Sequence, residues 1–125
     1  MHITAVATQL RTTDLEASID FYVNRLGFEL DFRFEDFYAG LKTLEGHQIH
    51  LKLVDAPNPD IGFVQSGTHL HLYFLVDDLE EVASRFRANG VTFHREPQQT
   101  NRGTRELYVQ DDQGHVLCFA EPPRA

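Results

Sequence analysis

The sequence predicts an α+β protein in which one strand–helix–three-strand unit occurs twice. Two segments with helical periodicity are each followed by segments of strand-like alternation. Short motifs also recur in the same order in both halves: DLE at 14–16 returns at 78–80, and GH at 46–47 returns at 114–115. An internal repeat is therefore the first hypothesis. Chance similarity between two ordinary α+β segments is the alternative.

The first helix is predicted within TTDLEASIDFYVNRLG, residues 12–27. Thr13 and Glu16 have the spacing of a capping box, and Gly27 stands where a helix-ending glycine is expected. The apolar residues follow the spacing of one helix face: Leu15, Ile19, Tyr22, Val23 and Leu26.

The second helix is predicted within VDDLEEVASRFRANG, residues 76–90. Asp77 and Glu80 repeat the capping spacing in acidic form, and Gly90 is expected to end the helix. Its apolar face comprises Leu79, Val82, Ala83 and Phe86.

The remaining segments alternate as half-buried strands do. In FELDFRFE, Phe32 and Phe34 share a face and are expected to pack in the core; the apolar wall of a cleft is the alternative. Imidazole, phenol and carboxylate groups occupy the polar faces of three other strands, which favours a ligand cleft over a plain solvated surface, the alternative. These polar faces carry Gln48, His50 and Lys52; His69, His71 and Tyr73; and Glu106, Tyr108 and Gln110.

The predicted organisation is a single domain, 1–125, made of two modules. The modules span about 1–56 and 68–122, and a linker at 57–67 joins them. Proline and glycine are frequent in APNPDIGFVQSG, which is typical of a connecting segment.

Composition excludes several functional classes. There are 11 Lys and Arg against 19 Asp and Glu, a formal charge of -8, so we expect no nucleic-acid partner. No apolar run approaches the ~20 residues of a membrane span, and the N-terminus lacks a signal-peptide pattern. We therefore expect a cytoplasmic location and no membrane partner. Cys118 is the single cysteine, which excludes an intrachain disulfide and a multi-cysteine zinc site.

The chain resembles the vicinal oxygen chelate superfamily, which includes glyoxalases, bleomycin-resistance proteins, fosfomycin-resistance enzymes and extradiol dioxygenases. The resemblance lies in DLEASIDFYVNRLGF at 14–28, VDDLEEVASRF at 76–86 and RELYVQDDQGHVLCF at 105–119. Asp112 stands where the family signature usually has proline. The resemblance implies two βαβββ modules that form an incomplete barrel around a cleft, and a homodimer.

The resemblance also implies four metal-ligand positions, which the metalloenzymes of the family fill with His, Glu or Gln. In this sequence they fall at Ala7, His50, His71 and Cys118. Alanine offers no ligand, and cysteine stands where many members have a carboxylate. The metal candidates are therefore His50, His71 and Cys118, with Glu106 as a neighbouring substitute.

Three hypotheses remain open. The first is a metal-free cleft that binds a small cationic or aromatic molecule and needs no cofactor. The second is a metal-dependent lyase or dioxygenase that uses a divalent ion (Zn, Mn, Fe or Ni) on His50, His71 and a non-standard third ligand. The third is a structural or interaction module without a ligand. The sequence predicts no catalytic residue, and the predicted cleft residues are Gln9, His50, His71, Tyr73, Glu106, Tyr108 and Cys118.

Overall fold

The computed structural model describes residues 1–123 and divides into two compact units, Met1–Asn58 and Pro59–Ala125. In the first unit, helix α1 follows strand β1 and continues into one π-helical turn, Phe21–Arg25. The sheet has the order β1-β4-β3-β2, and only the β1–β4 pair is parallel. The bounds are β1 (Ala7–Thr12), α1 (Leu15–Asp20), β2 (Glu29–Phe34), β3 (Tyr38–Lys42) and β4 (Gln48–Leu53).

The second unit repeats this arrangement and adds one helix before it. Its sheet has the order β5-β8-β7-β6, and again only the first pair, β5–β8, is parallel. The elements are α2 (Asp60–Ser66), β5 (Leu72–Leu75), α3 (Leu79–Ala88), β6 (Phe93–Gln99), β7 (Arg105–Gln110) and β8 (Val116–Glu121).

The predicted fold class is confirmed. Each unit is one βαβββ module with an open four-stranded mixed sheet, and the described strands form no closed barrel. No helix within residues 1–123 is long and apolar enough to cross a membrane.

Both predicted helix caps are wrong by one position. The N-caps are Asp14 and Asp78, whose carboxylates accept the backbone N–H of Ala17 at 3.1 Å and of Glu81 at 3.2 Å. A carboxylate in this position satisfies a backbone donor that the first helical turn cannot pair internally. Both caps are the aspartate of the repeated DLE motif, so the repeat extends to this detail.

The predicted linker 57–67 is largely helical. Helix α2 occupies Asp60–Ser66 and belongs to the second unit. Ile61 and Val64 are buried at a spacing of three, and the side-chain amide of Gln65 donates to Gly114 O at 3.0 Å. Proline is tolerated just ahead of a helix, so the proline content of this segment was compatible with one.

The core is built from the alternating apolar faces of the strands and the inner faces of the helices. Leu41 and Leu51 are fully buried in the first sheet, and Leu107 and Leu117 in the second. The expectation that Phe32 and Phe34 belong to the core is wrong, because they are 40% and 57% exposed. Strand β2 is an edge strand whose residues are all exposed, so its alternation does not reflect one-sided burial.

Candidate functional site

One cross-strand row of the second sheet brings several predicted site residues together. Tyr73 of β5 pairs with Cys118 of β8, Cys118 pairs with Tyr108 of β7, and Tyr108 pairs with Arg95 of β6. Residues opposite each other in a sheet project to the same face. The row therefore places two phenols, a thiol and a guanidinium side by side.

Glu106 organises this face. It is 3% exposed, and its Oε2 accepts hydrogen bonds from Tyr73 Oη at 2.8 Å, Arg102 Nη2 at 2.9 Å and Thr104 Oγ1 at 3.0 Å. Its Oε1 accepts from Tyr108 Oη at 3.1 Å. A buried carboxylate is expensive unless it is paired and hydrogen-bonded, and here both conditions hold. Both phenols are thus held by the same anchor. We call the surface formed by Tyr73, Arg95, Arg102, Glu106 and Tyr108 the Glu106 face.

The hydrogen bonds fix the ionisation of the Glu106 face. Burial alone would raise the pKa of Glu106, but the bonds from Tyr73, Thr104 and Tyr108 and the charge of Arg102 together lower it. Burial and the adjacent carboxylate raise the pKa of Tyr73, and burial with the neighbouring thiol and carboxylate raises that of Tyr108. Glu106 is therefore ionised at neutral pH, and both phenols keep their protons.

Cys118 lies beneath this face and is fully buried. Burial, followed by the nearby negative charge of Glu106, raises the pKa of its thiol to about 12. The nucleophilic and ligating form of cysteine is the thiolate. Cys118 is therefore a neutral packed group in this environment rather than an activated nucleophile.

Arg95 supplies the charge at the far end of the row. Its guanidinium carbon lies 5.5 Å from the centre of the Tyr108 ring, a cation–π geometry. The preceding residue, His94, has its Nδ1 atom 2.9 Å from the side-chain amide nitrogen of Gln110. That amide nitrogen can only donate, so Nδ1 is the acceptor and the proton of the neutral ring is on Nε2.

The first unit carries a corresponding row with different chemistry. Gln9 pairs with His50, His50 with Gly40, and Gly40 with Phe32. The Phe32 ring lies over Gly40, where a Cβ atom would overlap it, and stands edge-on to the His50 ring with centroids 5.3 Å apart. Tyr38 Oη lies 2.9 Å from His50 Nδ1 and accepts from Gln9 Nε2 at 3.1 Å.

His71 lies just before β5 and makes none of the contacts of the Glu106 face. Its Nδ1 accepts the backbone N–H of Val116 at 3.0 Å, and its ring is edge-on to that of His115, with centroids 4.9 Å apart. Its Nε2 is 3.4 Å from Asp60 Oδ2 but not in hydrogen-bonding geometry. His115 in turn contacts the Asp111 carboxylate through Nδ1 at 2.8 Å.

Three of the four expected ligand positions, Ala7, His71 and Cys118, do not fit a divalent metal centre. Because a backbone N–H can only donate, His71 Nδ1 must accept, and the proton of the neutral ring then occupies Nε2, which leaves no lone pair for a metal. Cys118 is a buried, protonated thiol, and Ala7 has no donor atom. Within residues 1–123, no three His, Cys, Asp or Glu side chains are grouped so that they could hold a metal ion.

Sequence reasoning identified Tyr73, Glu106 and Tyr108 but missed the groups that neutralise and extend their cluster. Thr104 and Arg102 lie at i–2 and i–4 from Glu106, in the turn between β6 and β7, where no alternation pattern indicates the direction of a side chain. Arg95 was missed because two register shifts interrupt the pairing of β6 with β7. A bulge shifts the pairing register of two strands, and the alternation of residues in the sequence does not reveal where a bulge occurs.

Two open sheets, each made from a βαβββ unit, place the protein in the class built by duplication of that unit. A family model for the Glyoxalase/Bleomycin resistance protein/Dioxygenase superfamily matches residues 2–119. The chain therefore belongs to this superfamily.

Among characterised relatives, the chain is 31% identical over 125 residues to a lactoylglutathione lyase of Neisseria meningitidis serogroup A, covering 91% of this chain and 87% of that protein. Among solved structures, it resembles a glyoxalase/bleomycin resistance protein/dioxygenase from Alicyclobacillus acidocaldarius, with a TM-score of 0.79 and 18% identity over 94% of this chain and 90% of that one. It also resembles TioX from Micromonospora sp. ML1, with a TM-score of 0.75 and 22% identity over 94% and 98% of the two chains. The structural likenesses support the fold.

Proposed function

We propose that this protein binds a small organic molecule on the Glu106 face and does so without a metal ion. The observation that carries the proposal is the Glu106 cluster itself, in which one buried carboxylate holds Tyr73, Tyr108 and Arg102. Polar groups fixed before the ligand arrives lose little conformational freedom on binding, which favours affinity.

The chemistry of the face favours an aromatic ligand. Tyr73 is 42% exposed although its hydroxyl is anchored, so part of its ring is available for contact. The expectation of a cationic ligand rested on the acidic net charge of the chain and on the carboxylate of Glu106. Arg102 neutralises that charge and four donors occupy its oxygens, so Glu106 needs no cation from a ligand.

Ligand binding is tested by titrating the protein with a panel of aromatic acids, amides and amines, followed by thermal shift and by amide chemical shifts. Tyr73→Ala removes the exposed ring and one anchor, and we expect at least a tenfold loss of affinity, about 1.4 kcal/mol. Phe63→Ala, which removes an exposed ring on α2 outside the Glu106 face, is the matched control. If both variants bind as the unaltered protein does, this face is not the site.

The second candidate function is a metal-dependent lyase. It is favoured by the 31% identity to a protein named lactoylglutathione lyase. The donor set argues against it, because the four expected ligand positions hold Ala7, His50, His71 and Cys118.

Metal analysis of protein purified without chelator separates the two functions. We expect the purified protein to contain much less than one metal ion per chain. We also expect EDTA to leave the ligand affinities unchanged. Stoichiometric divalent metal that is lost in His71→Ala, together with turnover that a chelator abolishes and the metal restores, would establish the lyase instead. Lys52→Ala, an exposed residue of the first unit, controls for nonspecific loss of metal during purification.

A further inference from the structure

We infer that the ligand of the Glu106 face carries an anionic group, a carboxylate or a phosphate, and that the guanidinium of Arg95 recognises it. The inference rests on the proposed binding function and assigns a ligand class to the same face. It follows from the charges of the groups that form the Glu106 face, taken one group at a time.

The Glu106 face holds one carboxylate, Glu106, and Arg102 neutralises it. Among the other carboxylates of the unit, Glu80, Glu81 and Glu96 pair with Arg105, Arg85 and Arg87. Asp78 and Glu121 accept the backbone N–H groups of Glu81 and Leu79, and Asp111 contacts His115. The phenols and the thiol on this face are neutral, so no further negative charge arises from them.

Arg95 remains without a counter-charge. Its guanidinium has no carboxylate within ion-pair distance in the described part of the chain, and its contact is the face of the Tyr108 ring. A cation–π contact attracts the guanidinium to the ring but supplies no counter-charge. Together with Arg102 and Glu106, this leaves the face with one net positive charge.

The net charge of -8 of the whole chain does not cancel this local charge. Salt screens exposed charges beyond about 8 Å at physiological ionic strength, whereas a ligand on the Glu106 face would contact Arg95 directly. A planar guanidinium suits the paired oxygens of a carboxylate or phosphate, which it can bind through two parallel hydrogen bonds.

The test uses three matched probes that share one ring system: 2-naphthoate, 2-naphthamide and 2-naphthylmethylammonium. Dissociation constants are measured by titration calorimetry and by amide shifts at low and at physiological salt. We expect naphthoate to bind at least tenfold more tightly than naphthamide, and the ammonium compound to bind more weakly than either. Arg95→Gln should reduce the acid-to-amide ratio to below twofold. Arg95→Lys should retain part of the preference, since it keeps the charge but loses the planar fork.

The control is Arg85→Gln, which removes an equal charge from an exposed arginine of α3 that is paired with Glu81. If Arg95→Gln and Arg85→Gln weaken the preference for naphthoate over naphthamide equally, the preference reflects the overall charge of the protein and not contact with Arg95. That result would overturn the inference. If acid and amide bind equally and both depend on Tyr73, the anion inference fails while the proposed function stands. If none of the three probes binds the unaltered protein, both are overturned.

Discussion

Glu106 determines the state of its neighbours because every donor around it depends on a negative charge at that position. In Glu106→Gln the amide oxygen can face the three donors at Oε2, but the amide nitrogen then faces the Tyr108 hydroxyl. We expect a loss of about 1–3 kcal/mol in the free energy of unfolding at pH 7, from weaker bonds to a neutral acceptor. Urea denaturation of both proteins measures it.

The pH dependence of this difference has a definite sign. The folded-state pKa of Glu106 lies below its ordinary value of about 4.3. The stabilisation is therefore complete above the unfolded-state pKa and is lost as the pH falls through the folded-state pKa. Glu80→Gln, an exposed partner of Arg105, should change stability by less than about 0.5 kcal/mol. A difference that grows on acidification would contradict this account.

Gly40 leaves room for the Phe32 ring that lies over it. In Gly40→Ala the added methyl group displaces this ring, which is exposed and can move into solvent at little cost. We expect the free energy of unfolding to change by less than about 1 kcal/mol, since lower unfolded-state entropy offsets part of that cost. We also expect shifted resonances of His50, whose ring contacts Phe32. Gly62→Ala, in helix α2 with no atom within 4 Å of its added Cβ, should leave the His50 resonances in place. Unshifted His50 resonances in Gly40→Ala would contradict the steric argument.

Among the elements, helix α3 offers the clearest test of how much a capping side chain stabilises a helix. Asp78→Ala removes the carboxylate that caps Glu81 N, and we expect a loss of about 1 kcal/mol in unfolding free energy. Asp78→Asn should keep most of the stability, because an amide oxygen can accept the same bond. Asp77→Ala, at the residue that sequence spacing predicted as the cap, should have little effect. A larger loss at Asp77 than at Asp78 would show that the cap is misassigned.

The regular elements could be predicted from the sequence because their signals are local. Periodicity placed both helices of the repeat, and alternation placed β2, β4, β7 and β8. Of the predicted strand HLHLYFLV only Leu72–Leu75 is a strand, and β3 and β6 were not located by alternation. Helix α2 was missed since its two buried residues, Ile61 and Val64, are too few to establish a period against nearby prolines. Site residues that a strand register positions, such as Tyr73 and Tyr108, could be predicted. Arg95 and Arg102 could not, because a bulge and a turn place them.

At the scale of the whole molecule, Cys118 reports on unfolding. It is the single thiol of the sequence, it is fully buried, and its pKa is raised to about 12. We expect a thiol reagent at pH 8 to react roughly a thousandfold more slowly with the native protein than with the denatured one, since a stability of ~5 kcal/mol leaves few molecules open. Denaturant should restore the rate of a free thiol. Rapid labelling of the native protein would contradict this burial.

The homodimer expected from the family resemblance remains a proposal. Its support on this chain is the exposure of large apolar side chains in the first unit, at Leu30, Phe32, Phe34 and Phe37. Water contact at such groups is unfavourable, and clusters of them often mark interfaces. Sedimentation equilibrium should give twice the mass of a single chain. A single-chain mass across the full accessible concentration range would exclude the dimer.

In each sheet, the residues of the cross-strand row differ from the residues that stabilise the fold. Gln9 and His50 occupy in one row the register that Tyr73 and Cys118 occupy in the other. The capping carboxylates and the buried leucines lie outside both rows. Substitutions within a row that keep side-chain volume therefore leave these determinants of folding untouched. A duplicated frame of this kind can change one half's recognition chemistry while the other half keeps its own, so functional divergence within the family needs no new architecture.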